Sequence, residues 1–146
     1  MAKKQEKKFK SRKLSSDKFL SDDELKELKH ALASGWVAER DAVYLEMMLA
    51  TGARPSELLE LTRKDLIEAT KSVHIWGLKH SDDREIPISA DLFRRLKALS
   101  EASKDGRPFP ISYEWIKKLW QYVRPNSRGI HCLRHTFALR LYRRTK

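Results

Sequence analysis

Hydrophobic and polar positions along this chain follow two periods, and the change between them marks its elements. After a lysine-rich opening, Ser21-Asp22-Asp23-Glu24 reads as a capping box. Ser21 would accept the N3 amide and Glu24 the N-cap amide. Leu25, Leu28 and Leu32 follow at helical spacing, and Gly35 ends that helix. A second helix runs from about Trp36 to Ala50. Its Val43, Leu45, Met47, Met48, Leu49 and Ala50 are apolar nearly all round, which predicts central burial. Gly52 suits its C-terminal stop. Pro55 suits the first turn of a third helix, to about Leu61, because its missing N–H is not needed there.

The period then shortens to two. Ser72-Val73-His74-Ile75-Trp76 reads as a strand, with Glu85-Ile86-Pro87-Ile88 as its partner and Gly77 to Arg84 as the turn. Pro87 confines that partner to a sheet edge. Helical spacing returns at Ser89, which caps a helix over Ala90–Ala102 burying Leu92, Phe93, Leu96 and Leu99. Asp105-Gly106-Arg107-Pro108 is a loop. Ser112 caps a helix with Trp115, Ile116, Leu119, Trp120 and Val123 on one face, and the stretch from Pro125 to Gly129 breaks it. A last helix begins near Leu133, with Leu133, Phe137 and Leu141 inward. The four tyrosines, Tyr44, Tyr113, Tyr122 and Tyr142, read as helix-stripe packing. The fold class is α+β, mainly α-helical, with a small antiparallel β-sheet.

Composition narrows the class. The 146 residues suffice for one core, and 40% apolar with 35% charged residues suits a folded domain. No apolar run approaches the roughly 18–20 residues that span a bilayer, and the N-terminus lacks the apolar core of a secretory signal. Cys132 is the only cysteine, which excludes an internal disulfide and a cysteine metal cluster. A cytoplasmic protein is expected. Residues 1–18 carry eight Lys/Arg against two acids and read as a flexible basic arm; residues 19–146 read as one domain. Residues 115–146 carry nine Lys/Arg and no acid, whereas residues 19–114 are net −4. Basic ends flanking an acidic middle suit a polyanionic partner, most simply nucleic acid, although a solvated tail and helix face would show the same pattern.

Candidate chemistry sits in two segments and the turn between them. Arg54 lies in Thr51-Gly52-Ala53-Arg54-Pro55-Ser56-Glu57-Leu58, and Arg134 in His131-Cys132-Leu133-Arg134-His135-Thr136-Phe137-Ala138. A guanidinium is permanently charged and can bind two phosphate oxygens at once. Both arginines lie near predicted helix starts, where phosphate is favoured. A histidine beside a phosphate can donate a hydrogen bond or move a proton near neutral pH, which makes His131 a candidate. Lys79, with His80 as a competitor, sits in the hairpin turn; by position alone it reads as an ordinary turn lysine, although a lysine there can reach a DNA groove and protonate a departing 5′ oxygen. Glu57, three residues after Arg54, either holds that guanidinium or caps the local turn. His131 and His135 have zinc-ligand spacing, but no Glu accompanies them in a His-Glu-x-x-His pattern and no third ligand is evident, so no metal is expected. His135 reads as a packed supporting histidine.

The two segments resemble the "TGxRxxEL" and "HxLRHTFA" boxes of phage integrases, and Arg84-Glu85-Ile86-Pro87-Ile88 resembles the strand that follows the hairpin lysine of that family. The chain is thus similar to the catalytic domain of tyrosine recombinases over residues 19–146. The resemblance implies DNA cutting and rejoining through a 3′-phosphotyrosyl link, without metal or nucleotide cofactor, by tetramers on two duplexes. It implies that Arg54 and Arg134 clamp the phosphate, that Lys79 is the general acid and that His131 assists proton transfer. The family's tyrosine lies beyond the second arginine, and the sequence ends at Lys146 before such a position. Tyr142, eight residues past Arg134, would lie about 12 Å away and about 80° round the helix axis. No nucleophile is therefore assigned. A non-cleaving DNA-binding regulator or an inactive prophage remnant are the competing expectations.

Overall fold

The computed structural model describes residues 18–78 and 82–145. Helix α1 (Asp22–Ala33) opens with both halves of the expected capping box. The Glu24 amide donates to Ser21 Oγ at 3.1 Å and the Ser21 amide to Glu24 Oε1 at 2.9 Å. Helix α2 (Glu39–Thr51) starts three residues later than the pattern predicts. Gly35 turns the chain with φ +89°, which leaves Trp36 out in solvent before the helix begins. A short helix α3 (Pro55–Leu59) follows, with Pro55 at its first turn as expected.

A three-stranded antiparallel sheet comes next, β1 (Leu66–Ile67), β2 (Ser72–Ile75) and β3 (Arg84–Pro87), in that order. Strand β1 is additional to the predicted hairpin; two residues are too short to show alternation. Across β2–β3 the register pairs Val73 with Ile86 and Ile75 with Arg84. Pro87 sits on the edge strand, where its missing N–H breaks no ladder bond. Helices α4 (Ala90–Ala102), α5 (Tyr113–Val123) and α6 (Cys132–Thr145) complete the described chain.

Helix α2 is the centre of the core. Ala42 to Leu45, Met47 and Met48 are almost wholly excluded from solvent, which explains why its pattern lacks a polar face. It packs against α6 on one side and α4 on another, while α1 packs against α5. The arrangement is mainly helical with a small antiparallel sheet, as the periodicity implies.

Three packing expectations are corrected. Trp115 is 44% exposed. The inward stripe of α5 is Ile116, Leu119, Trp120 and Val123, and Trp115 stands about 100° off its start. Its indole N–H instead donates to the buried carboxylate of Asp41 at 3.0 Å. Leu141 is 47% exposed, because eight residues beyond Leu133 the helix face has drifted by about 80°. Of the tyrosines only Tyr44 packs inside; Tyr113, Tyr122 and Tyr142 are exposed.

Candidate active site

The turn between α2 and α3 is fixed from several directions. Gly52 closes α2 in the left-handed region at φ +68°, donating its amide to the Met48 carbonyl at 2.9 Å. The Thr51 hydroxyl donates to the Met47 carbonyl at 2.7 Å and accepts from the Ala53 amide at 3.2 Å. From the core, the Tyr44 hydroxyl donates to the Pro55 carbonyl at 3.0 Å. Arg54 therefore takes the N-cap position of α3 on a backbone with little freedom. A Cβ on Gly52 would run into the ring of Phe137, so glycine is required both by φ and by the close approach of α6.

That approach delivers the second arginine. Arg134, in the first turn of α6, donates its Nε to the Gly52 carbonyl at 2.7 Å. Its terminal nitrogens make no hydrogen bond to the described residues, so the guanidinium is anchored by one edge and presents the other. The C-terminus of α2 thus places Arg54 through the backbone and Arg134 through one carbonyl.

Glu57 lies beneath them. It is almost wholly buried, and its Oε1 accepts the Arg54 amide at 2.8 Å. Of the two roles read from the sequence, it caps the local turn. Its carboxylate also takes a guanidinium from outside the motif: Arg84 Nη2 donates to Oε1 at 2.8 Å and Nη1 to Oε2 at 3.3 Å. Burial would raise the Glu57 pKa, but the bonds and charge of Arg84, with backbone donors Arg54 and Leu78, hold it below the usual carboxylate range. Arg54 Nη1 reaches the Leu78 carbonyl at 3.5 Å, which ties the arm of the hairpin to the same cluster.

The local charge is dominated by cations. Among the described residues, Arg54 and Arg84 both act on Arg134, and Glu57 is the carboxylate set against them. Burial, then the positive charge of Arg54, lowers the Arg134 pKa, with Arg84 adding to the effect and Glu57 opposing it. Arginine nonetheless stays protonated, so the cluster concentrates fixed positive charge.

The remaining expected residues fall as follows. Lys79 and its competitor His80 lie outside the described residues. His131 immediately precedes α6, exposed, and its carbonyl accepts the amides of Arg134 at 3.0 Å and His135 at 3.2 Å. Its imidazole makes no hydrogen bond to the cluster among the described residues. His135 is exposed rather than packed, a correction that follows from its place on the outer face of α6 beside Ala138. Its pKa is lowered by partial desolvation first, then by Lys18, Arg134 and His131. No three His, Cys, Asp or Glu side chains are grouped as metal ligands among the described residues. No described helix is long and apolar enough to cross a membrane.

Arg84 escaped the sequence reading. The signal was present: in a strand of period two, Arg84 shares the face of Ile86, and both are half-buried while Glu85 and Pro87 are exposed. An inward arginine in a short edge strand needs a carboxylate, and Glu57 supplies it.

Comparison with known proteins decides the family. Residues 18–111 match the model described as "Phage integrase family". The chain belongs to that family. The match spans the first box and the hairpin; the second box, at 131–138, lies beyond it. Among curated relatives, tyrosine recombinase XerC of Agrobacterium fabrum is 30% identical over 122 residues, covering 73% of this chain and 38% of the relative. Tyrosine recombinase XerA of Pyrococcus horikoshii is 27% identical over 143 residues, covering 87% and 48%. This integrase-family chain therefore spans less than half the length of these two relatives. Among solved structures, the catalytic domain of bacteriophage HP1 integrase superposes with a TM-score of 0.63 at 28% identity, over 84% of this chain and 70% of that one. The XerH recombinase, solved with its difH substrate in a post-cleavage complex, gives a TM-score of 0.70 at 22% identity, over 90% and 44%, and bears on the fold alone.

Proposed function

We propose that this chain is the phosphate-binding part of a tyrosine recombinase catalytic domain, acting in site-specific strand breaking and rejoining of duplex DNA. In-line attack on a phosphodiester adds charge to its non-bridging oxygens. Preorganised cations aimed at those oxygens stabilise the transition state without reorganising. Arg54 and Arg134 would provide them. Lys79 would protonate the departing 5′ oxygen, and His131 would assist proton transfer. Rejoining would reverse the same steps, so neither metal nor nucleotide would be consumed. Residues 19–146 would form the working unit, residues 1–18 would track phosphates, and assembly on DNA would be tetrameric, inside the cytoplasm.

The observation that supports this most is Arg134 fixed by one edge to the Gly52 carbonyl, with the positive charge of Arg54 acting on it from beside. The test is binding of the chain to labelled duplex DNA across a salt series. Affinity should fall steeply with salt. Arg134→Ala should cost roughly 10- to 100-fold, the worth of a charge-assisted bond. Unchanged affinity in that variant would remove the clamp from the reading.

None of the four tyrosines would be the nucleophile. Tyr44 is buried in the core. Tyr142 shares α6 with Arg134, but at about 12 Å and about 80° round the axis its ring would not meet the same phosphate in line. A second reading, a DNA-binding regulator that does not cut, would share the same arginine cluster. Incubation with a nicked recognition duplex separates the two. A covalent adduct that Tyr142→Phe abolishes would contradict both this assignment and the regulator reading.

A further inference from the structure

We infer that Arg84 is a positioning residue whose task is to neutralise Glu57, so that this carboxylate does not draw the clamp arginines away from an incoming phosphate. The inference rests on the reading of Arg54 and Arg134 as that clamp. Glu57 is needed where it is, because its Oε1 accepts the Arg54 amide at 2.8 Å and so fixes the start of α3. Yet an anion beneath an anion-binding site opposes its function. The side chain of Glu57 is fully excluded from solvent, so water does not screen it. Its countercharge must come from the protein.

The charges of Arg84 and Arg134 both act with that of Glu57, and of the three arginines of the cluster only Arg84 is spared from the phosphate side. Arg134 is turned by its Nε toward the Gly52 carbonyl, and Arg54 Nη1 reaches toward the Leu78 carbonyl. Arg84 approaches from β3 and meets both oxygens, at 2.8 and 3.3 Å, while its Nη1 also reaches the Asp82 carbonyl at 3.3 Å. Two contacts to one carboxylate and one to the segment leading into its strand occupy its terminal nitrogens. Arg84 is thereby turned away from the role its charge suggests. Lysine offers one point of charge in place of the fork and would not span both oxygens.

The test uses the whole chain and a fluorescein-labelled duplex of mixed sequence at fixed low salt. Arg84→Met should weaken binding by about tenfold or more, a shift of about one decade in Kd. The double variant Arg84→Met with Glu57→Gln should recover most of that loss, because the uncompensated carboxylate is gone. If Arg84 touched phosphate itself, the double variant would bind as weakly as the single one. If its role were only to hold the fold, folded Arg84→Met would bind like the parent. Either result overturns the inference. A second measurement needs neither DNA nor a variant: the Glu57 carboxyl carbon followed by NMR through an acid titration. It should titrate below the ordinary glutamate value of about 4.3. Titration at or above that value overturns the inference even if Arg84→Met fails to fold. A parent chain that ignores DNA, with a low-titrating Glu57, would instead count against the clamp reading.

Discussion

Two glutamates in this chain occupy the same local position and serve different ends. Glu24 and Glu57 each stand three residues after an N-cap, and each accepts that residue's amide, at 2.9 Å from Ser21 and 2.8 Å from Arg54. Each also takes an arginine from a distant segment, Arg128 for Glu24 and Arg84 for Glu57. Around Glu24 the remaining partner is neutral: Asn126 donates its amide to Oε2 at 2.7 Å, and Arg128 also reaches the Phe19 carbonyl. That network balances its charge and clasps the start of α1 to the loop before α6. Near Glu57 stand two further arginines, Arg54, whose amide it accepts, and Arg134, on which its charge acts. Each carboxylate accepts its N-cap amide; the number of guanidinium groups nearby is what would distinguish a binding site from a clasp.

The sharpest way to separate the two regions is through the backbone that feeds the second. Gly52→Ala forces a side chain into the left-handed region and into the Phe137 ring, so that the ring or α6 must shift. Strain and overpacking together should cost about 3 kcal/mol or more of stability. Because Arg134 is anchored on the Gly52 carbonyl, DNA affinity should fall in whatever fraction remains folded. Gly35→Ala is the control: its φ is also positive, but the space around it is open, so only about 1 kcal/mol should be lost. Chemical denaturation of both variants reads the difference. Equal losses would show that the approach of α6 to the turn matters little.

Truncating the glutamates should give a smaller but cleaner contrast. Glu57→Ala removes the amide cap and leaves Arg84 half-buried without its carboxylate, which should cost about 2–3 kcal/mol. Glu24→Ala removes a cap and a partly exposed pair, and should cost about 1–2 kcal/mol. The more telling readout is DNA binding, which Glu24→Ala should leave unchanged once folding is accounted for. A binding defect in Glu24→Ala matching that of Glu57→Ala would erase the proposed division between clasp and site.

Much of this was legible in the residues, for reasons that differ between fold and site. Local signals were strong where one rule acts alone: the Ser21–Glu24 box, the stop at Gly52, Pro55 in its first turn and the edge position of Pro87 all appear in the structure. Side-chain orientation failed where a residue sat one step off a stripe, as Trp115 did, or where a helix was long enough to drift, as at Leu141. Arg54, Glu57 and Arg134, which the structure brings together, were singled out because they belong to recognisable boxes. Arg84 lay in a recognised strand too, but its partner did not follow from that strand, because the pairing with Glu57 spans 27 positions in the sequence. Chemistry that depends on a buried partner is visible only once the partner is placed.

Acid provides the finest comparison. Glu24 is held down to about 2, chiefly by the Ser21 amide and then by Asn126 and Arg128. Its folded pKa lies below the unfolded one, so its stabilisation is complete above about pH 4.5 and is lost as pH falls toward 2. Glu57 is lowered as well, so it pushes in the same direction over the upper part of that window. Glu24→Gln should therefore reduce stability at neutral pH yet flatten the loss between pH 4.5 and 2, and the parent and variant curves should converge at the acid end. Urea unfolding followed by circular dichroism at several pH values measures this directly. The Glu57→Gln curve should flatten too, but over a narrower range, since burial works against the arginine that holds this carboxylate charged. If the Glu24→Gln curve ran parallel to the parent down to pH 2, the clasp would owe nothing to ionisation, and the two glutamates would differ in kind rather than in the number of arginines around them.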